Sequence, residues 1–216
     1  MIWMTAKRSD GEKMEKGLLV VISGPAGSGK GTVTRMLMDL PEYAFSVSAT
    51  TRAPRPGEID GVNYHYISAE EFEQRIQADE LLEYTKYCGN YYGTLKKETD
   101  AVLESGKNLI LEIEVEGAMN VKRLCPDTAV LIMLLPPSYS VQEQRLRGRA
   151  TETEEVILRR LERAKEEMEY LPNYDYVVYN YDGKAAECAE EIKAIVRAEK
   201  NSMRRNSDAK KRFFES

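Results

Sequence analysis

The residues best placed to do chemistry form one string, Gly24-Pro25-Ala26-Gly27-Ser28-Gly29-Lys30-Gly31-Thr32. Glycines at 24, 27, 29 and 31 let backbone N–H groups turn inward, because a Cβ would block both positive φ angles and the close approach of a phosphate. Lys30 adds a full positive charge at the reach of β- and γ-phosphates. A glycine-rich turn with a solvated lysine would share this string, so its flanks matter. Before it, residues 18–22 are apolar and largely β-branched; after it, Val33, Met36, Leu37 and Leu40 recur at helical spacing. Strand, loop and helix in that order make a phosphate-binding loop, with the helix N-terminus adding unpaired N–H groups. One position departs from the usual pattern. Gly31 stands where Ser or Thr commonly follows the lysine, so metal contact rests on water, on phosphate oxygens and on Thr32.

Other residue sets could serve the same chemistry. In Arg52-Ala53-Pro54-Arg55-Pro56, an extended polyproline-like backbone would turn Arg52 and Arg55 the same way and clamp a phosphate; a solvated loop fits the segment too. Arg145 and Arg149 are four apart, with Arg160 further on and Gly148 between. Like charges at that spacing repel slightly, and an anion between them reverses the sign. Arginines closing over a transferring phosphoryl group suit this pattern, as do surface ion pairs to Glu152, Glu154 and Glu155. Glu112 and Glu114 alternate onto one face of a strand that should end beside the glycine loop, where carboxylates hold Mg²⁺ through water or serve structure alone; Glu116 extends the acidic edge.

The elements that must position these groups read as a parallel α/β fold. The chain has 216 residues, 42% hydrophobic and 31% charged, with net charge −5: ordinary globular composition, and a poor nucleic-acid binder as a whole. Cys88, Cys125 and Cys188 are odd in number and far apart, which supports neither a disulfide framework nor a zinc site and suits a reducing cytoplasm. The single histidine, His65, lies in an alternating run and reads as structural. Residues 1–16 are polar and read as a flexible leader without a signal peptide, and no run approaches the ~20 apolar residues of a membrane span.

Strands are expected at residues 44–48, 109–114, 129–135 and 176–180, and helices at 96–105, up to Leu124, 139–168 with a break at Gly148 and a fresh start at Thr151, and from Gly183 to about Lys200. Alternating strands and helices imply a parallel sheet wrapped by helices, with ligands at the strand carboxyl ends. Between Thr50 and Gly93 the chain turns polar and tyrosine-rich, broken by Pro54, Pro56, Gly57, Gly61 and Gly89. Ser68 with Glu71 opens a helix there, so the stretch reads as an inserted α/β lobe. The basic end, from Met203 to Phe214, reads as a solvated, frayed tail and not as a contact for nucleic acid or membrane.

Taken together, residues 24–32, 46–58, 61–64, 89–93 and 145–154 closely resemble guanylate kinase, in unbroken order from about Gly17 to beyond Asn180. The resemblance implies transfer of the γ-phosphoryl group of MgATP to GMP or dGMP. It implies a core of residues 17–48, 94–138 and 169–205, a GMP-binding lobe of 49–93 and a lid of 139–168, with 206–216 as tail. It implies that Arg52, Arg55, Tyr64 and Tyr92 hold the GMP phosphate and that Ser48, Glu83 and Thr94 read guanine. Lys30, Arg145, Arg149 and Arg160 would surround the transferring phosphates, and Asn180 would lie near adenine. Glu112 and Glu114 match acidic positions of the family, whereas Glu116 stands where Gln is common. A guanylate-kinase-like interaction module and a kinase for another monophosphate are the competing readings.

Overall fold

The computed structural model describes residues 16–87, 89–148 and 153–215. Strand β1 (Leu19–Ser23) leads through the glycine loop into helix α1 (Lys30–Met38) and strand β2 (Tyr43–Phe45). Short strands β3 (Ala49–Thr50) and β4 (His65–Tyr66) precede α2 (Ala69–Gln77), then β5 (Leu81–Tyr87) and β6 (Asn90–Leu95). The chain continues through α3 (Lys96–Glu104), β7 (Asn108–Glu112), α4 (Val115–Leu124) and β8 (Ala129–Leu135). It ends with α5 (Tyr139–Gly148), α6 (Glu154–Met168), β9 (Tyr176–Tyr179), α7 (Ala185–Lys200) and α8 (Ala209–Glu215).

Among the described residues these strands form two sheets. The larger is five-stranded, in the order β2-β7-β1-β8-β9, and every pairing in it is parallel. Its central strands are buried on both faces, as an all-parallel sheet under helices requires. Alternation sorts the side chains: Val20, Ile22, Ile110, Ile132 and Leu134 pack towards α1 and α7, while Leu19, Val21, Leu109, Leu111 and Leu131 pack towards α3 and α4. The glycine loop leaves the carboxyl end of the middle strand, β1, flanked by β7 and β8. That crevice is where doubly wound sheets take ligands.

The smaller sheet runs β4-β3-β6-β5 and is mixed, with β3 parallel to β4 and antiparallel to β6. Phe72 of α2 fills its core with Ala49, Leu81 and Leu95. The Ser68 hydroxyl accepts the Glu71 N–H at 3.0 Å, the cap expected from sequence.

Several expectations move. The strand expected at 44–48 ends at Phe45: β2 joins the large sheet by pairing with β7, and beyond residues 46–48 Ala49–Thr50 begins the small one. Met36 lies on the exposed side of α1, and Thr34 replaces it in the buried face with Val33 and Leu37. The strand expected at 109–114 stops at Glu112, because Glu114 caps α4. The basic end is also more ordered than expected. Arg204 and Arg205 both bond the nearly buried Glu199, Arg205 reaches the backbone carbonyls of Asp127 and Ala129, and residues 209–215 are helical. Burial opposes ionisation of Glu199, but hydrogen bonds from Tyr176 and these arginines outweigh it and hold the carboxyl near 2. Among the described residues no helix is long and apolar enough to cross a membrane.

Candidate active site

The glycine loop is aimed from outside. Gln142 of α5 donates its side-chain amide to the Ala26 carbonyl at 2.9 Å, Arg145 donates to the Gly27 carbonyl at 3.2 Å, and Asn180 donates to the Ser28 carbonyl at 2.8 Å. In a trans peptide the C=O and the next N–H point in opposite directions. Holding those carbonyls outward turns the N–H groups of Gly27 and Gly29 inward, into an anion cradle, while the Ser28 N–H donates to the Pro25 carbonyl at 3.1 Å. Gly29 caps α1 in the left-handed region at φ 90°, and a Cβ there would stand 2.2 Å from the Asn180 amide nitrogen. Gly31, by contrast, sits exposed in the first turn of α1 with open space around it. Lys30 begins α1 and its ammonium donates to the Gly24 carbonyl, folded back over the loop.

A second cavity lies where the two sheets meet. Ser48, Tyr64, Glu83 and Tyr92 line it from the small sheet and its approach, with Glu112 from the large one and Glu114 from the start of α4. Glu83 is 5% exposed and accepts from the Thr94 hydroxyl at 2.8 Å. Burial pushes its carboxyl up to about 7, against the Thr94 hydrogen bond, which lowers it. Glu83 can reach this depth because α4 carries glycine opposite: a Cβ on Gly117 would stand 2.9 Å from the Glu83 Oε2.

Arg52 enters the same region. Its guanidinium makes a bidentate pair with Glu58 at 2.9 Å and lies 5.5 Å from the Tyr64 ring centre and 5.9 Å from that of Tyr66. The Arg55 backbone N–H, the Tyr66 hydroxyl and Arg52 all donate to Glu58, and they hold its carboxyl near 2. Arg55 does not join Arg52 as the spacing suggested. The chain turns between residues 55 and 58, with Gly57 at φ 86°, and the Arg55 side chain lies in the exposed part of the turn.

Between the loop and this cavity stand the carboxylates. Glu112 Oε2 accepts from the Thr34 hydroxyl at 3.0 Å, which ties the end of β7 to α1. Glu114 lies at the start of α4 against Glu167 of α6, a buried carboxyl that its sequence context did not single out. Burial, and next the charge of Glu114, raise Glu167 to about 7, while Lys30 and Arg163 pull the other way. Among the described residues no three His, Cys, Asp or Glu side chains group as a direct metal site. The hard oxygens of Glu112 and Glu114, which line one cavity, fit a magnesium ion that keeps most of its water, whereas Thr32 lines a separate cleft with Gly27, Gly29, Arg145 and Asn180.

A family model described as guanylate kinase matches residues 16–199. The chain belongs to the guanylate kinase family. It is 47% identical over 190 residues to the guanylate kinase of Desulfitobacterium hafniense (strain Y51), covering 88% of this chain and 94% of that one. It is 53% identical over 186 residues to the guanylate kinase of Halalkalibacterium halodurans, covering 86% and 90%. Among solved structures it is similar to guanylate kinase from Anaplasma phagocytophilum, with a TM-score of 0.71 and 30% identity over 88% of this chain and 90% of that one. Relatives matched over nine-tenths of their length carry the enzyme's name, so the interaction-module reading does not hold. The chain is a nucleoside monophosphate kinase, a phosphotransferase.

Within the guanylate kinase fold the arginines expected around the phosphates separate. Arg145 is held by the Asp182 carboxylate, by the Asn180 carbonyl at 2.8 Å and by the loop. Arg149 lies outside the described residues. Arg160 is half-buried on α6. Asn180, expected near adenine, spends its amide on the loop backbone. Gln142, Thr34 and Glu167 were missed because their partners lie far away in sequence, and only their burial marks them.

Proposed function

We propose that this protein transfers the γ-phosphoryl group of ATP, bound with Mg²⁺, to GMP and to dGMP, giving ADP and GDP or dGDP. The observation that carries this reading is the buried Glu83, bonded by Thr94, in a cavity whose other wall includes Glu112, itself tied to the helix that follows the glycine loop. Guanine presents N1–H and N2–H₂ together, and one carboxylate accepts both; Ser48 and Thr94 are left to meet the rest of the base. Adenine lacks that donor pair and would leave the buried carboxylate unmatched, a mismatch worth ~10⁴ or more in selectivity.

The acceptor oxygen is already anionic, so the reaction asks for no general base. His65 fits that economy, since its Nε2 lies 3.4 Å from Glu98 of α3. Catalysis then reduces to bringing two polyanions end to end. The loop from Gly24 to Thr32 holds the donor phosphates and Lys30 meets their outer oxygens. Arg52, Tyr64 and Tyr92 receive the GMP phosphate, with Arg55 swinging in from its turn. Arg145, Arg149 and Arg160 neutralise charge on the transferring group. Mg²⁺, placed by Glu112, Glu114 and Thr32 through water, would supply Lewis-acid charge to the phosphate oxygens. In this reading residues 49–93 form the GMP-binding lobe and 139–168 the lid, and both close on the core when substrates bind.

A coupled assay of ADP release across GMP, dGMP, AMP, UMP and CMP tests the assignment. GMP and dGMP should turn over and the others should not; AMP turnover within tenfold of GMP would overturn it.

A further inference from the structure

Glu116 has no part in the chemistry above, yet it has a partner. Arg163 of α6 donates to Glu116 at 3.0 Å, across from the first turn of α4. The same guanidinium bonds Glu166 at 2.9 Å and places its Nε 3.8 Å from the buried Glu167, which itself meets Glu114. Arg163 and Glu167 lie four apart on one face of α6, and Glu114 and Glu116 bracket the start of α4. Two polar links therefore join the last turns of α6 to the carboxylate end of the large sheet. The apolar face of α6, Ile157 and Leu161, packs instead on Leu146 of α5 and Ala26 of the loop. Apolar packing holds the start of the helix, and at its end Met168 packs by Val115 of α4 while the ion pair fixes how α6 registers on α4.

Arg160 stands one turn before Arg163 on this helix. Sliding or turning α6 against α4 carries the Arg160 guanidinium with it, and a misplacement of about 1 Å near a transferring group can cost ~10²-fold in rate.

We propose that Arg163, held by Glu116, is a positioning residue that sets where Arg160 meets the transferring phosphates. The inference rests on the assignment of Arg160 above, so the experiment separates the two. Steady-state kinetics with GMP and ATP are measured for Arg160→Ala, Arg163→Ala, Glu116→Ala, the Glu116→Ala/Arg163→Ala double variant and Glu116→Gln. Arg163→Ala and Glu116→Ala should each lower kcat about tenfold, with both KM values within about twofold of the parent. The double variant should be no slower than either single one, because both remove one link. Glu116→Gln should keep kcat within about twofold, since its amide oxygen still accepts from the guanidinium. Glu116 is half-exposed at the surface, so its variants report even if loss of Arg163 impairs folding. A parent-like kcat for Glu116→Ala, additive losses in the double variant, or a rise in KM alone would overturn the proposal. If Arg160→Ala leaves kcat unchanged, the Arg160 assignment fails; if it lowers kcat while Glu116→Ala does not, only the positioning role fails.

Discussion

The two binding regions of this chain are built on opposite plans. The donor loop is backbone, aimed by Gln142, Arg145 and Asn180 from outside and rooted in the most buried strand of a sheet covered on both faces. The acceptor cavity of the proposed reading is side chains: carboxylates and hydroxyls, set in part on short strands whose apolar core centres on Phe72, with Arg52 over Tyr64 at its edge. A phosphate has the same shape on every nucleotide, so fixed N–H groups serve it well. A base must be told from other bases, which needs side-chain donors and acceptors at a depth where an unmatched group is costly. The contrast separates rate from selectivity, and each half can be damaged alone.

Lys30→Met should break the comparison most sharply on the donor side. It should lower kcat by ~10³ or more while GMP binding by calorimetry stays nearly intact; a retained tenth of the rate would show that charge at the loop is not what drives transfer. Glu83→Gln should do the reverse: its amide adds a donor facing guanine's donors, so discrimination between GMP and AMP should fall by ~10² or more, read as the ratio of kcat/KM values.

A gentler probe is pH. The Glu83 carboxyl, raised by burial from 4.5 to about 7, must in the proposed reading be charged to accept guanine's donors. KM for GMP should therefore rise about tenfold per unit as pH falls below 7, and Glu83→Gln should flatten that dependence. Because the folded state binds this proton more tightly than the unfolded chain, the same group's contribution to stability is full below 4.5 and is lost as pH rises through about 7. The smallest expected effect concerns Arg52. Glu58→Gln removes the charge that the arginine now faces, and KM for GMP should fall by about two- to fivefold, the scale of one ion pair that keeps some contact with water. An increase would mean that Glu58 orients Arg52 for the phosphate.

How much of this was legible beforehand follows the range of each interaction. The strand at Ala129–Leu135 and the Ser68 cap were written locally, in an apolar run and in a hydroxyl with a glutamate after it. The glycine loop was equally plain, and the resemblance singled out Glu83, which the structure buries in the second cavity. What escaped were pairings across the fold. Thr34 finds Glu112, Gln142 finds Ala26, and Arg163 finds Glu116, and no periodicity in either partner announces the other. Arg52 and Arg55 were misjudged for a related reason. Their spacing fitted an extended backbone, but Glu58, a few residues on, bends the segment around itself.

The glycine at 117 has a reach beyond its own helix. It belongs to α4, on the large sheet, and stands outside the lining of the cavity it protects. One extra carbon there would press on the carboxylate of Glu83 from behind. In the proposed reading, base preference is therefore inherited partly through an atom the chain does without, and a shift of substrate could begin at a site that never touches one.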